Sequence, residues 1–242
     1  MTLPTDTAAV AALDAKLAGM DASGRLRWAW ETFGERAAFG TSFQGAGIVA
    51  IDLARRAGAK LPVFTLDTGL LFPETYALKE RLEKYWGFTI KSLVPDLTVD
   101  RQNEVLGPEL WKTDPDLCCN TRKVVPLRSK LQTLDCWITG VRREQSATRT
   151  DTGIIEYVQD ETNPEHSLWK LNPVADWSRN QIWDYIKAHG LPYNPLQDRG
   201  YRSIGCTHCT RPVADGQDER AGRWTGFNKT ECGLHTAFRR KQ

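Results

Sequence analysis

From residue 36 onward, short apolar runs alternate with longer stretches whose apolar positions recur at helical spacing. Arg36–Gly40 (RAAFG) reads as a short strand, followed by the loop Thr41–Gln44 and a helix from about Gly45 to Arg56. Pro62–Leu66 (PVFTL) is a buried strand, and Asp67–Phe72 is its loop. Pro73 suits the first position of the next helix, Glu74 complements its N-terminal dipole, and Gly87 stands where a C-terminal cap belongs. Phe88–Leu93 alternates like a strand. A helix is predicted over roughly Asp116–Leu134, which Pro126 should bend or break. Asp135–Gly140 (DCWITG) is another apolar strand, and residues 153–158 and 168–171 form a further pair. Ser178–Gly190 reads as a helix with Ser178 as N-cap and Gly190 as stop. The first twenty residues read as a short amphipathic helix. After Pro192 the chain is rich in Gly, Pro and charge, with little periodicity.

Strand–loop–helix alternation predicts an α/β fold with a parallel sheet covered by helices. In such sheets ligands bind at the C-terminal strand ends. Thr41–Gly47, Leu66–Leu71 and Thr139–Arg149 should lie at that edge. The expected organisation is a helical segment over 1–34, a nucleotide- and cluster-binding α/β domain over 35–212, and a mobile C-terminal tail over 213–242.

Charge and composition remove some alternatives. The 242 residues carry 32 Lys+Arg and 30 Asp+Glu, a net charge of +2, which argues against a general nucleic-acid coat. The longest apolar stretch, around Gly45–Ala54, contains Asp52 and falls well short of the ~20 residues a bilayer requires. The N-terminus lacks a basic start and carries Asp6 and Asp14, so no signal peptide is read there. A cytoplasmic protein with reduced thiols is expected.

The chain has 6 cysteines. Cys206-Thr-His-Cys209 is a C-x-x-C, which alone fits a redox pair, zinc or an iron–sulfur centre. The adjacent Cys118-Cys119 could complete a four-thiolate set, for zinc or for a cluster. His208 is read as exposed, and Cys136, inside an apolar strand, as a small buried hydrophobe. Cys232 differs, because it lies in the polar stretch Lys229-Thr-Glu-Cys232-Gly-Leu-His235. Lys229 and His235 favour its thiolate and Glu231 opposes it. It is a candidate nucleophile, with an unremarkable surface thiol as the alternative.

The loop Gly40-Thr-Ser-Phe-Gln-Gly-Ala-Gly47 joins a strand to a helix, and its small residues expose backbone N–H groups suited to phosphate or sulfate. No Lys follows, so it is not a P-loop. Arg122-Lys123, Arg142-Arg143, Arg149, Arg220 and Arg223 supply positive charge at predicted strand ends or in the tail. Asp184 and the acidic residues over 215–219 read as surface charge.

Taken in order, these segments resemble the adenylyl-sulfate/phosphoadenylyl-sulfate reductase family. They are TSFQGAG, Leu66-Asp67-Thr68-Gly69, Phe72-Pro73-Glu74, Cys118-Cys119-x-x-Arg122-Lys123, Trp137-Ile-Thr-Gly140-x-Arg142-Arg143, Asn194-Pro-Leu-x-Asp198, Cys206-x-x-Cys209-Thr, Gly222-Arg-Trp224 and KTECGLH. The resemblance implies an ATP-pyrophosphatase-like (adenine nucleotide alpha hydrolase-like) fold with an irregular tail. It implies a 4Fe–4S cluster on Cys118, Cys119, Cys206 and Cys209, and Cys232 as the nucleophile that attacks the substrate sulfur. Lys123, Arg149, Arg220, Arg223 and His235 map near the phosphosulfate. Thr41, Ser42, Phe43, Gln44, Gly45, Ala46, Leu66, Gly69 and Gly140 map to the nucleotide site. The implied electron donor is thioredoxin or a glutaredoxin-like protein, with no nucleic-acid or membrane partner, and homo-oligomerisation is left open. Leu70-Leu71-Phe72 and Gln44-Gly45-Ala46-Gly47 depart from the commoner cluster-bearing pattern, which keeps the 3′-phosphorylated substrate, or both substrates, as the alternative. A pyrophosphatase-type nucleotide transferase and a zinc-binding module are the competing classes.

Overall fold

The computed structural model describes residues 3–229 and 231–241. Met1, Thr2, Thr230 and Gln242, which fall in the expected N-terminal segment and C-terminal tail, lie outside the described residues.

Two helices open the chain, α1 (Thr7–Ala18) and α2 (Ala22–Phe33), each capped by an aspartate side chain. Then follow β1 (Ala37–Thr41), α3 (Gly45–Arg56), β2 (Val63–Leu66), α4 (Pro73–Trp86) and β3 (Lys91–Leu93). The middle of the chain holds α5 (Val99–Leu106), α6 (Leu110–Thr113), α7 (Pro115–Cys119), a π-turn over Asn120–Val124, and α8 (Val125–Leu131). Next come β4 (Cys136–Ile138), β5 (Ile155–Asp160), β6 (Asn163–Leu171), α9 (Arg179–His189) and β7 (Phe238–Arg240).

The strands form one sheet in the order β3-β2-β1-β4-β6-β5-β7. From β3 through β6 all neighbours are parallel; β5 is antiparallel to both β6 and β7. Strand order runs outward one way from β1 to β3 and the other way from β4. The gap between β1 and β4 is therefore a topological switch point, where the loops diverge and leave a crevice. Successive side chains on β1 alternate between two apolar layers. Phe39 joins the layer under α2, α3 and α9, whereas Ala38 joins the layer of Leu127, Leu131 and Phe238. Burial on both faces is why these strands read as continuous apolar runs.

Several expectations need correction. The expected helical stretch 116–134 is helical over 115–131, and it is interrupted where α7 passes through a π-turn into α8, just ahead of Pro126. The strand expected over Phe88–Leu93 covers only Lys91–Leu93. Helix α2 falls inside the helical segment expected over 1–34, whereas helices α5 and α6 and strand β7 have no counterpart in the sequence pattern. Helix α1 fully buries only Leu17, so its amphipathic reading overstated its face. Among the described residues no helix is long and apolar enough to cross a membrane.

Candidate active site

A cleft opens at the switch point, with about 1310 Å³ of empty volume counted to its open mouth. Its floor comes from the C-terminal ends of β1, β2 and β4. Two glycines make the floor tight: a Cβ on Gly140 would stand 2.6 Å from the backbone nitrogen of Gly47, so the β4 end and the first turn of α3 touch backbone to backbone. Phe43 takes a left-handed φ of 57°, and its N–H donates to Thr41 Oγ1 at 3.0 Å, which fixes the loop between β1 and α3. Phe64, Leu66, Leu127 and Trp137 give the cleft an apolar wall, and Lys123, Arg149, Arg220 and Arg223 give it positive charge.

The π-turn sets where the basic pair points. Arg122 turns inward, donating from Nε to the Thr68 carbonyl at 2.5 Å and from Nη1 to Gln102 Oε1 at 3.0 Å. Lys123 borders both the cleft and a second, small cavity behind it. That second cavity is lined by Cys118, Cys119, Cys206 and Cys209. Burial pushes the Cys118 thiol up to about 12, reinforced by the neighbouring Cys119, Cys206 and Cys209. Burial alone would raise Cys206 too. Lys123, the Thr68 hydroxyl at 3.3 Å and Arg223 outweigh it and hold that thiol below its ordinary value. Burial opposes the charge of Lys123, yet the surrounding Cys206, Cys232 and Cys119 raise its pKa. Trp111 and His208 stack at 4.0 Å over the same cavity, and the buried Trp111 Nε1 has no hydrogen-bond partner there. Among the described residues no three His, Cys, Asp or Glu side chains are arranged to hold a single metal ion.

The tail closes over the cleft. Cys232 and His235 both line it. His235 lies on Trp137, and burial, with Lys170, Arg149 and Arg220, drives its pKa well below 6.5. Trp224, buried with φ 48°, gathers the Arg223, Arg220 and Lys229 cations at 4.4, 5.5 and 5.5 Å from its ring. Lys229 also pairs with Asp116 of α7, joining the tail to the thiol-bearing helix.

Sequence and structural relatives place the chain in a family. A family model described as the phosphoadenosine phosphosulfate reductase domain matches residues 36–212. The chain belongs to this family. An adenosine 5'-phosphosulfate reductase of Halalkalibacterium halodurans is 45% identical over 211 residues, covering 87% of this chain and 89% of the relative. Another of that name, from Salinibacter ruber, is 43% identical over 236 residues, covering 97% of this chain and 91% of the relative. The crystal structure of a phosphoadenylyl-sulfate (PAPS) reductase from Candida auris superposes with TM-score 0.75 at 26% identity, covering 87% of this chain and all (100%) of that one. An FMN adenylyltransferase of Candida glabrata, 14% identical with TM-score 0.57 over 90% of this chain and 71% of that one, shares the fold alone. The fold is thus the adenine nucleotide alpha hydrolase-like one expected.

In this member of the phosphoadenosine phosphosulfate reductase family, most of the expected nucleotide-site residues meet at one cleft. Thr41, Ser42, Phe43, Gln44, Leu66, Lys123, Gly140, Arg149, Arg220, Arg223, Cys232 and His235 all border it. Three expected residues do not. Gly45 and Ala46 border a smaller adjoining pocket beside Arg142 and Arg179. Gly69 sits at a turn with φ 69°, its N–H bound by Asp67, where a Cβ would meet Arg122 instead of the cleft. Glu219 was read as surface charge, but its side chain is 19% exposed and receives Arg142 at 3.2 Å beside the cleft. Trp137, Thr139, Gln145 and the stretch 202–205 also border the cleft. Trp137 and Thr139 stand in the Trp137-Ile-Thr-Gly140 motif, and Thr139 and Gln145 in the span expected at the strand ends, but the sequence assigns none of them an individual site role, and Arg202 lies outside the expected cation set.

Proposed function

We propose that this chain reduces adenylyl sulfate to sulfite and AMP, taking two electrons from a thioredoxin-type dithiol. The observation that carries this reading is one shared cleft: Cys232 and the cations Lys123, Arg149, Arg220 and Arg223 border it together at the sheet's switch point. Relatives named adenosine 5'-phosphosulfate reductase, at 43–45% identity, support adenylyl sulfate as the substrate.

In the proposed reaction the Cys232 thiolate attacks the sulfate sulfur. A sulfur–sulfur bond forms, the bond from sulfur to the phosphate oxygen breaks, and AMP leaves with the electron pair. Lys123, Arg149, Arg220 and Arg223 offset charge on the leaving phosphate and the moving sulfonate. His235 stays a neutral imidazole at pH 7, able to hydrogen-bond without adding charge. The apolar wall of Phe64, Leu66, Leu127 and Trp137 takes the adenine ring. A thiolate of the donor then attacks Cys232 Sγ, releasing sulfite and leaving a mixed disulfide, which the second donor thiol resolves. The expected mobile tail over 213–242 needs narrowing, because Phe238–Arg240 pairs with β5 in the sheet and Trp224 is buried; only the stretch beside Cys232 moves to present it to the donor.

The cysteine set fits a 4Fe–4S cluster. Four thiols border one cavity, and Cys₄ is a cluster's usual ligand set. Cys118, Cys119, Cys206 and Cys209 would hold it. When bound it would tie the two segments together and place a fixed charge behind Lys123.

The test is sulfite release by anaerobically purified protein with thioredoxin, from adenylyl sulfate and from its 3′-phosphorylated form, with iron and acid-labile sulfide counted. Sulfite mainly from adenylyl sulfate is expected. Activity on the phosphorylated nucleotide alone would reassign the substrate, and inactivity on both would overturn the reading.

A further inference from the structure

A carboxylate of the tail sits on two arginines of the cleft. Glu231 Oε2 accepts from Arg149 Nη2 at 3.1 Å and from Arg220 Nη2 at 3.0 Å. Its Oε1 accepts from Arg149 Nε at 3.2 Å and from Thr148 Oγ1 at 3.3 Å. All three charged side chains are mostly buried, with 12%, 14% and 13% exposure for Arg149, Arg220 and Glu231. A guanidinium fork fits carboxylate, sulfate and phosphate oxygens alike. Arg149 and Arg220 repel each other, and an anion between them relieves that repulsion. Glu231 supplies the anion, and it is the residue bonded to Cys232. On the other side of Cys232, Gly233 takes φ 84°, a conformation that lets the chain turn sharply there.

We propose that Glu231 is a positioning residue: in the substrate-free enzyme it latches the Cys232-bearing segment onto Arg149 and Arg220, and the anionic end of the nucleotide displaces it. This rests on the proposed role of those arginines as substrate ligands. Two anions cannot both take the same two forks, so the arriving sulfate exchanges with the carboxylate. The exchange frees the backbone beside Cys232 at the moment a substrate is bound. The latch and the substrate therefore compete, and the apparent affinity of the empty enzyme is reduced by the latched fraction.

The test uses the full-length, cluster-loaded enzyme. In a Cys232→Ser background, which blocks turnover, dissociation constants are measured with and without Glu231→Gln. The probes are adenylyl sulfate, inorganic sulfate, and adenosine as an anion-free control. Glu231→Gln is expected to bind adenylyl sulfate and inorganic sulfate about tenfold more tightly, with adenosine unchanged. With Cys232 present, iodoacetamide labelling of that residue should speed up on adding inorganic sulfate. In Glu231→Gln it should be fast from the start. KM for adenylyl sulfate should fall more than kcat changes. Equal or weaker sulfate binding by folded Glu231→Gln overturns the latch. If Glu231→Gln does not fold, Glu231→Asp takes its place, and wild-type affinity in that variant overturns the latch as well. Sulfite release by the wild-type enzyme separates the two ideas. If it fails on adenylyl sulfate, the functional reading falls, while the inorganic sulfate measurement still decides the latch.

Discussion

The His235 imidazole lies flat on the Trp137 indole, with ring centroids 5.1 Å apart and planes 10° apart. Trp137 comes from the central strand β4 and His235 from the tail, so the stack pins the tail to the middle of the sheet. His235 Nδ1 is buried without a partner. Burial, then Lys170, Arg149 and Arg220, hold its pKa well below 6.5. A base with a depressed folded pKa stabilises the fold fully above its unfolded pKa. That stabilisation is lost as pH falls from about 6.5 toward the folded value, because the unfolded chain binds the proton first. Lowering pH from about 7.5 to about 5.5 should therefore shift the urea midpoint of wild type more than that of His235→Gln. The expected difference is at most about 1.4 kcal/mol per pH unit in that window. Identical pH dependence in the two proteins would contradict this.

Cys232→Ser should abolish sulfite release and leave bound iron unchanged, since Cys232 borders the cleft and is absent from the lining of the four-thiol cavity. Lys123 borders both spaces. Lys123→Met should lower sulfite release about 10²-fold, or about 3 kcal/mol, with iron retained. Loss of iron in Lys123→Met would make the lysine a counterion of the thiols instead.

Cys118 and Cys206 lie on segments far apart in sequence, yet both line one cavity. Replacing either with Ser should remove iron. Chelating iron from the wild-type protein should lower its melting temperature by several degrees, because a group that binds only the folded state stabilises it. An unchanged melting curve after complete iron removal would refute the tie between the segments.

Gly140→Ala tests the floor of the cleft. The new methyl would sit 2.6 Å from the nitrogen and 2.9 Å from the Cα of Gly47, and backbone cannot step aside as a side chain does. A loss of about 1–3 kcal/mol in stability is expected, together with weaker nucleotide binding. Calorimetry and AMP titration measure both.

Arg25 of α2 donates to the Leu17, Ala18 and Pro173 carbonyls and pairs with Asp176 at 2.7 Å. Its side chain is 2% exposed, but that of Asp176 is 38%, so the pair falls short of full burial. Arg25→Met should cost about 2–3 kcal/mol, below the ~3–5 expected for a fully buried pair. An unchanged urea midpoint would show that the N-terminal helices dock without it.

Legibility in the sequence followed the physics of each element. The strands Ala37–Thr41, Val63–Leu66 and Cys136–Ile138 were readable because both faces are buried and the runs are continuously apolar. Helix Pro73–Trp86 was readable from its proline start and glycine stop, and Arg179–His189 from Ser178 and Gly190. Helix Val99–Leu106 was missed because it buries Gln102 alone, leaving no stripe to see. Strand Phe238–Arg240 was missed because it buries only Phe238, whose register partner, Asp160, lies 78 residues back.

The site divides the same way. Legible along the chain were a strand–loop–helix edge, two cysteine pairs, and a polar tail with its own thiol. Local spacing is enough to specify these, because each depends on neighbours along the chain. Which groups share a space followed from the folded packing. It put Lys123 on the wall between the cleft and the thiol cavity, through a π-turn no periodicity announces. It turned Gly69 away from the cleft and set Glu231 on Arg149 and Arg220. Those choices depend on long-range packing and charge pairing, which sequence spacing does not encode.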